Sequence, residues 1–349
     1  MKEINRIDIE RLRDTLSVSK KITLTAHTHP DGDAIGSCIG MAEYLRSIGK
    51  DVIISLPDEI DDYLQFMLSP LSSEYIHIYS AEPEKMSDRL LSSDLIICQD
   101  YNSFSRTDCM EDDLKTSKAA KILIDHHLNP DKEDFSIIFS DTEVSSTCEL
   151  LFYILMEMPE INQDVRKLSL ECATALMTGM TTDTNNFANS VYPTTFKMAS
   201  SLLEAGVDRE SIISSLYKNY NESRLRAMGY MLLKSMEITN EGIAYMIMTQ
   251  EIMNSYKIDH GDTEGFVNLP LSIGKVKMSI FLKEDGDHFR VSIRSKENVS
   301  ANKMAVQYFN GGGHEKAAGG KIPIPNDTTE PFIFAKEYIL NAIKKYFEE

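Results

Sequence analysis

The chain has 349 residues, 42% of them hydrophobic and 26% charged, with a formal net charge of −18. That length and balance predict a globular chain of about two domains. The acidity argues against a protein whose main task is to hold long duplex nucleic acid, because such affinity comes from basic contacts to phosphate. Five cysteines, Cys38, Cys98, Cys109, Cys148 and Cys172, form no C-x-x-C pair, and several sit in apolar runs. They are expected as buried thiols in a reducing compartment. The start of the chain, Met1 to Arg13, has no apolar signal segment, and no run approaches the ~18 apolar residues of a membrane span. The expected location is cytoplasmic, with no membrane partner.

Residues 3–18 space Ile4, Ile7, Ile9, Leu12 and Leu16 at a helical period. A β-branched strand over 21–26 runs into His27-Thr28-His29-Pro30-Asp31-Gly32-Asp33-Ala34-Ile35-Gly36-Ser37. The Pro and Gly of this stretch predict a loop. A helix follows, with Cys38, Met41, Ala42, Leu45 and Ile48 on one stripe and Gly49 as its stop. Further strands are expected over 51–56, over 95–99 before Asp100, and over 121–124 before Asp125-His126-His127. Ser146-Thr147-Cys148-Glu149 reads as an S-x-x-E capping box that opens a helix to about Met158. A helix over 164–177 is expected to break at Gly179-Met180-Thr181-Thr182-Asp183-Thr184, and one over 194–204 to stop at Gly206. Strands alternating with helices predict βαβ units and a mainly parallel sheet flanked by helices.

The pattern changes after about residue 235. Residues 243–249, 276–282 and 289–293 read as strands, the last two joined by a Glu284-Asp285-Gly286-Asp287 turn. A polar helix-like stretch, a Gly311-Gly312-Gly313-His314 loop and a final helix from Pro331 complete the chain. The fold class is therefore α/β: a domain over 1–220, a linker region over 221–240, and a smaller mixed α/β domain over 241–349.

Polar groups gather at the ends of these segments: His27 with Asp31 and Asp33, then Asp100, then Asp125-His126-His127, then Asp183. Each alone has a blander explanation. His27 would be a surface or capping imidazole, Asp31-Gly32-Asp33 a turn, Asp100 and Asp183 helix caps. Their joint occurrence tips the balance, because converging carboxylates with no basic partner resist ionising together. Divalent cations remove that conflict. Mixed His and carboxylate donors suit Mn²⁺, Zn²⁺ or Fe²⁺ better than an all-oxygen Mg²⁺ or Ca²⁺ site. Two half-sites with a shared acid predict two ions ~3.5–4 Å apart, set up for in-line displacement at phosphorus.

The stretch His27 to Ser37 (His-x-x-Pro-Asp-x-Asp-Ala-x-Gly-Ser), Asp100, Asp125-His126-His127 and the Gly-x-x-x-Asp-Thr of Gly179 to Thr184 resemble the four signature motifs of the DHH phosphoesterases. Gly311-Gly312-Gly313-His314-Glu315-Lys316-Ala317-Ala318-Gly319 resembles the signature of the associated DHHA1 domain. The resemblance spans nearly the whole chain, in order. It is greatest to the compact branch of oligoribonucleases and 3′-phosphoadenosine-5′-phosphate phosphatases, the NrnA type.

The resemblance implies a metal-dependent phosphodiesterase that hydrolyses short oligonucleotides to mononucleotides, with an accompanying nucleotide phosphatase activity, and an active site in a cleft between the domains. His27, Asp31 and Asp100 would hold one ion. Asp33, Asp100, His126 and Asp183 would hold the other, with Asp100 bridging. His127 would meet the substrate phosphate, Asp125 would orient an imidazole, and Arg106 would grip a phosphate. Arg294, Ser295 and Lys296 would form a substrate-binding strand. Gly311, Gly312, Gly313 and His314 would receive the substrate's terminal phosphate or nucleotide. Mn²⁺ is the foremost ion, with Mg²⁺, Co²⁺ and Zn²⁺ as alternatives. His29, where relatives often carry Asn, is assigned no metal. Expected partners are short single-stranded oligonucleotides or nucleotide phosphates, and a homodimer is left open. Alternatives are a linear-dinucleotide phosphodiesterase, a pyrophosphatase, or a catalytically silent nucleotide-binding regulator. The intact acids count against the last of these.

Overall fold

The computed structural model describes residues 4–68, 74–258, 261–296 and 298–348. The chain divides into two compact units, Met1–Lys218 and Asn219–Glu349. The first contains α1 (Arg6–Val18), β1 (Lys21–Thr25), α2 (Gly32–Ser47), β2 (Asp51–Leu56), β3 (Ile76–Ile78), α3 (Pro83–Leu91), β4 (Leu95–Gln99), α4 (Glu111–Thr116), β5 (Ala120–Asp125) and β6 (Ile137–Ser140). Helices α5 (Thr147–Met156), α6 (Leu170–Asp183), α7 (Pro193–Glu204) and α8 (Arg209–Tyr217) follow.

The six strands form a parallel sheet in the order β3-β2-β1-β4-β5-β6. A parallel sheet must be covered on both faces, so its central strands are apolar almost throughout. Ile22, Leu24, Leu95, Ile97, Ile122 and Ile124 enter a large core with α2, α5 and α6. Ile96, Cys98 and Leu123 turn the other way, onto Leu90, Phe104, Met110 and Leu114. The strand order reverses between β1 and β4, and ligands in such sheets bind beyond the carboxyl ends of the strands at that reversal. The register sets Thr25 beside Cys98 and Cys98 beside Leu123, so the ends of β1, β4 and β5 lie together.

Two expectations about this unit are corrected. The stretch up to Ser37 is not all loop, because α2 already begins at Gly32. The Asp31 carboxylate accepts from the N–H groups of Asp33 and Ala34, a helix cap that outweighs the nearby Pro and Gly. Gly179 does not break the later helix either. α6 starts only at Leu170, capped by Ser169, and runs through to Asp183.

The glycines explain the difference. A Cβ on Gly36 would lie 2.6 Å from the Ala175 carbonyl, and one on Gly179 would lie 2.3 Å from Cys148 Sγ and 2.9 Å from the Gly32 carbonyl. Gly32, Gly36 and Gly40 recur every fourth residue, which places them on one helix face. They let α2 lie close against α6, which carries Asp33 towards Asp183. Gly179→Ala is therefore expected to destabilise the protein by about 1–3 kcal/mol through overpacking. A urea midpoint equal to wild type would show that the helices separate at no cost. Among the cysteines, Cys109 is exposed and the other four are buried.

The second unit contains α9 (Glu222–Tyr230), β7 (Glu237–Ile238), β8 (Ile243–Met248), α10 (Gln250–Tyr256), β9 (Met278–Asp285), β10 (His288–Ser295), α11 (Ala301–Tyr308), β11 (Gly312–Gly313), β12 (Ala317–Pro323) and α12 (Pro331–Glu348). Its sheet has the order β11-β12-β10-β9-β8-β7, with only β8 and β9 parallel. Residues 221–240 are folded, not a bare linker: Ala227 and Met231 are fully buried with Met246, Met248, Phe266 and Phe281. The other sheet face packs Tyr245, Ile280, Phe289 and Ile293 against Met304, Phe309, Ala335 and Ile339.

Candidate metal centre

β4 ends at Asp100, whose φ of 63° lies in the left-handed region. Aspartate tolerates that conformation better than most residues. Its N–H still bonds the Ile124 carbonyl at 3.0 Å, but the chain turns there instead of continuing the strand alternation. The two carboxylate oxygens consequently face different imidazoles. Oδ2 lies 3.4 Å from His27 Nε2, and Oδ1 lies 3.5 Å from His126 Nε2. His126 Nε2 is also 3.5 Å from Asp183 Oδ2 and 3.8 Å from Asp33 Oδ2.

Donor atoms of His27, Asp31 and Asp100 lie within 4.8 Å of one another, and so do those of Asp33, Asp100 and His126. Asp100 belongs to both groups. Ligands that share a cation at ~2.1 Å stand roughly 3.0–3.4 Å apart. The separations across this cluster are close to that, and His27, Asp33, Asp100 and His126 are buried while Asp183 is partly exposed and Asp31 exposed. The residues present fit a pair of divalent ions.

Orientation comes from the surrounding chain. His27 Nδ1 faces the Thr28 carbonyl at 2.8 Å, which leaves Nε2 for the cluster. Asp33 accepts from the N–H of Thr147 at 2.6 Å and of Cys148 at 2.9 Å, at the start of α5. Thr147 Oγ1 donates to Asp100 Oδ1 at 2.9 Å. His29 faces Asp58 instead of the acids, with its N–H 2.8 Å from that carboxylate.

The electrostatics demand positive charge. Burial, then the neighbouring Asp33 and Asp31, push the Asp100 carboxyl well above its ordinary range. Burial raises Asp33 too, with Asp31 adding to it and His126 opposing. Burial disfavours a charged His126, but Asp183, Asp100 and Asp33 outweigh it and carry the imidazole up to about 9. The cluster thus keeps protons where a cation would serve better. His27 is lowered by burial, and the Arg106 charge adds to that against Asp31, which favours the neutral ring that a metal takes. Arg106 is half-buried in the turn after β4, and its guanidinium makes no ion pair among the described residues.

His127 lies edge-on to His126, ring centroids 4.9 Å apart, but differs from it in its partner. Its Nδ1 lies 2.7 Å from Asp125 Oδ1, a hydrogen-bond distance, and 3.7 Å from Asp100 Oδ1. Burial lowers His127 to about 4 despite Asp125. Burial by itself would raise Asp125, but its hydrogen bond to His127 and the charges of both imidazoles hold it below the usual carboxylate range. The acid of Asp125-His126-His127 therefore orients the third residue of the run.

In the second unit, Arg294 lies on the partly open face of β10, with Nη1 3.0 Å from the Ile293 carbonyl. Ser295 points the other way and is buried, and Lys296 Nζ bonds the Ile273 carbonyl at 3.1 Å. Within the stretch expected as a loop, Gly312 and Gly313 pair with β12. A Cβ on Gly311 would lie 1.9 Å from the Gly319 carbonyl, and Gly313 has φ 137° with the Ala317 carbonyl 2.7 Å from any Cβ. These two glycines serve the close approach of one chain segment to another. Gly312 faces open space, and the His314 N–H bonds the Ala317 carbonyl at 2.7 Å. Sequence reasoning missed Thr147 and Cys148, whose role rests on contacts more than a hundred residues away in sequence. It also passed over the glycine stripe of α2, whose spacing of four was there to be read.

Acids and imidazoles gathered beyond the carboxyl ends of a parallel sheet are donors for divalent cations. The N-terminal domain of the DHH family matches residues 21–180, and the DHHA1 domain matches residues 240–346. The chain belongs to the DHH family of phosphoesterases and is a phosphoric ester hydrolase with a DHHA1 domain as its second unit. It is 36% identical to an exopolyphosphatase-related protein from Bacteroides fragilis, whose crystal structure superposes with a TM-score of 0.89 and covers 99% of this chain and 98% of that one. The bifunctional oligoribonuclease and PAP phosphatase NrnA of Bacillus subtilis is 26% identical over 314 residues, 88% of this chain and 91% of its own length. RecJ from Thermus thermophilus in complex with Mn²⁺ shares the fold at 14% identity and a TM-score of 0.52, covering 97% of this chain and 54% of that one. Among the described residues no helix is long and apolar enough to cross a membrane.

Proposed function

We propose that this protein is a two-metal phosphodiesterase that degrades short oligonucleotides and also removes a phosphate from 3′-phosphoadenosine-5′-phosphate. The observation that carries the reading is the Asp100 carboxylate, with one oxygen towards each of two His/Asp groups. Similarity to the Bacillus subtilis oligoribonuclease and PAP phosphatase supports the substrate class. His27, Asp31 and Asp100 would hold one ion, and Asp33, Asp100, His126 and Asp183 the other. The mixed donor set suits Mn²⁺, Zn²⁺ or Fe²⁺, and Mn²⁺ is an ion that RecJ of Thermus thermophilus binds. The bound ions supply a Lewis acid and an activated water.

This chain's own residues do the rest. His127, fixed by Asp125 at Nδ1, presents Nε2 to the substrate phosphate. A phosphate's negative charge favours the protonated ring, so His127 takes up a proton with substrate and donates to a phosphate oxygen. Arg106 adds a second cationic contact.

In the second unit, Arg294 on the partly open face of β10 is a cationic contact for a substrate phosphate. A charge-assisted Arg–phosphate contact is worth ~1.5–3 kcal/mol, or roughly ten- to hundredfold. Arg294→Ala is expected to lose that factor in kcat/KM on di- to tetranucleotides. Bis-p-nitrophenyl phosphate, which needs only the metals, should be affected much less. Equal losses on both substrates would return Arg294 to a structural role. The direct test of the whole reading is a panel of labelled oligomers, 3′-phosphoadenosine-5′-phosphate and inorganic pyrophosphate, run on metal-free and Mn²⁺-loaded protein. Hydrolysis of pyrophosphate alone would overturn it.

A further inference from the structure

Resting on that two-metal reading, we propose that the first turn of α5 is a carboxylate clamp, with Thr147 as a positioning residue for the ion on the His126 side. The terminal torsion of an aspartate is broad and roughly two-fold. A free Asp100 side chain would not hold Oδ1 in one direction towards His126. Thr147 is fully buried, and its Oγ1 makes the one direct hydrogen bond to that carboxylate among the described residues. It engages Oδ1, the oxygen facing His126, and leaves Oδ2 towards His27. A carboxylate oxygen has two lone pairs, so Oδ1 keeps one for a cation while the other fixes its direction.

The same turn holds the second acid. The Thr147 and Cys148 N–H groups each take one oxygen of Asp33, at the helix end where the backbone carries positive partial charge. One turn thus sets two of the acids around His126. The acids nearer His27 are held differently, since Asp31 is fixed by its own helix, α2.

Glu149 braces the turn. Ser146 Oγ accepts from the Glu149 N–H at 3.0 Å, half of the expected capping box. In the other half the glutamate would return to the Ser146 N–H. Instead its Oε2 accepts from the Ser145 N–H at 2.9 Å, from Ser145 Oγ, and from Thr195 Oγ1 of α7 at 2.6 Å. Its Oε1 is buried with no hydrogen-bond partner among the described residues. Through Thr195 the glutamate ties this turn to α7.

The test is calorimetric titration of Mn²⁺ into the metal-free full chain, with melting in EDTA as a control on the fold. Thr147→Val keeps the shape and the backbone donor and removes only the hydroxyl. One of the two sites should weaken 10- to 100-fold, as the loss of a ligand's hydrogen-bond partner does elsewhere, with the other unchanged. Thr147→Ser should restore it. Glu149→Gln, which keeps size and removes charge, should weaken the same site. Two wild-type sites in Thr147→Val would overturn the clamp. So would equal weakening of both sites, or failure of serine to restore them together with a lowered melting point. Wild-type protein that binds fewer than two ions would instead overturn the two-metal reading itself, and the clamp with it.

Discussion

Asp100→Ala is expected to lose more than half of the bound metal, because the same carboxylate reaches both groups of donors. Its oxygens lie 3.4 Å from His27 Nε2 and 3.5 Å from His126 Nε2, and among the described residues no other side chain belongs to both the His27 and the Asp33–His126 group. The loss of activity should exceed the ~10²–10³-fold that follows removal of a single transition-state donor, since the whole clamp goes. The metal-free fold should survive, because burial and its acidic neighbours already oppose the charge of Asp100. Asp33→Ala should behave differently and spare the ion on the His27 side. Elemental analysis reads both outcomes. A full complement of two metals in Asp100→Ala would rule out the bridge.

His127→Ala is expected to separate turnover from metal binding. Its Nδ1 sits at hydrogen-bond distance from Asp125, shorter than the spacing of ligands around a shared ion. A positioned acid contributes typically ~10²–10⁴-fold, so kcat should fall by about that factor with metal content and melting temperature unchanged. Asp125→Asn should cost less, because the ring remains and only its orientation weakens. His126→Ala is the contrast, since His126 faces three carboxylates and its loss should release metal. If His127→Ala released as much metal as His126→Ala, the phosphate role would pass to another residue.

The apolar strands were legible because burial on both faces leaves an uninterrupted run of Ile, Leu and Cys, as in β4 and β5. The acids and imidazoles were legible for the same reason, since a polar residue at the end of such a run stands out against it. Local pattern failed where a residue answers to a distant partner. Pro30 and Gly32 look like a loop until the Asp31 cap and the close face of α6 are present. Gly179 looks like a helix breaker until Cys148 lies against it. Gly311 looks like an open loop until the Gly319 carbonyl occupies its missing side chain.

The chain's composition and periodicity by themselves determined the parallel α/β class, the second mixed unit and the roster of acids and imidazoles. Only the tertiary structure decided how they divide. It gave Asp100 a left-handed turn and one oxygen for each imidazole, and it paired Asp125 with His127. It also brought the start of α5 onto Asp33 across 114 residues of chain. The reason is physical. A strand buried on both faces marks the sequence with a continuous apolar run, whereas a hydrogen bond between distant segments depends on one atom at each end and leaves no pattern to read.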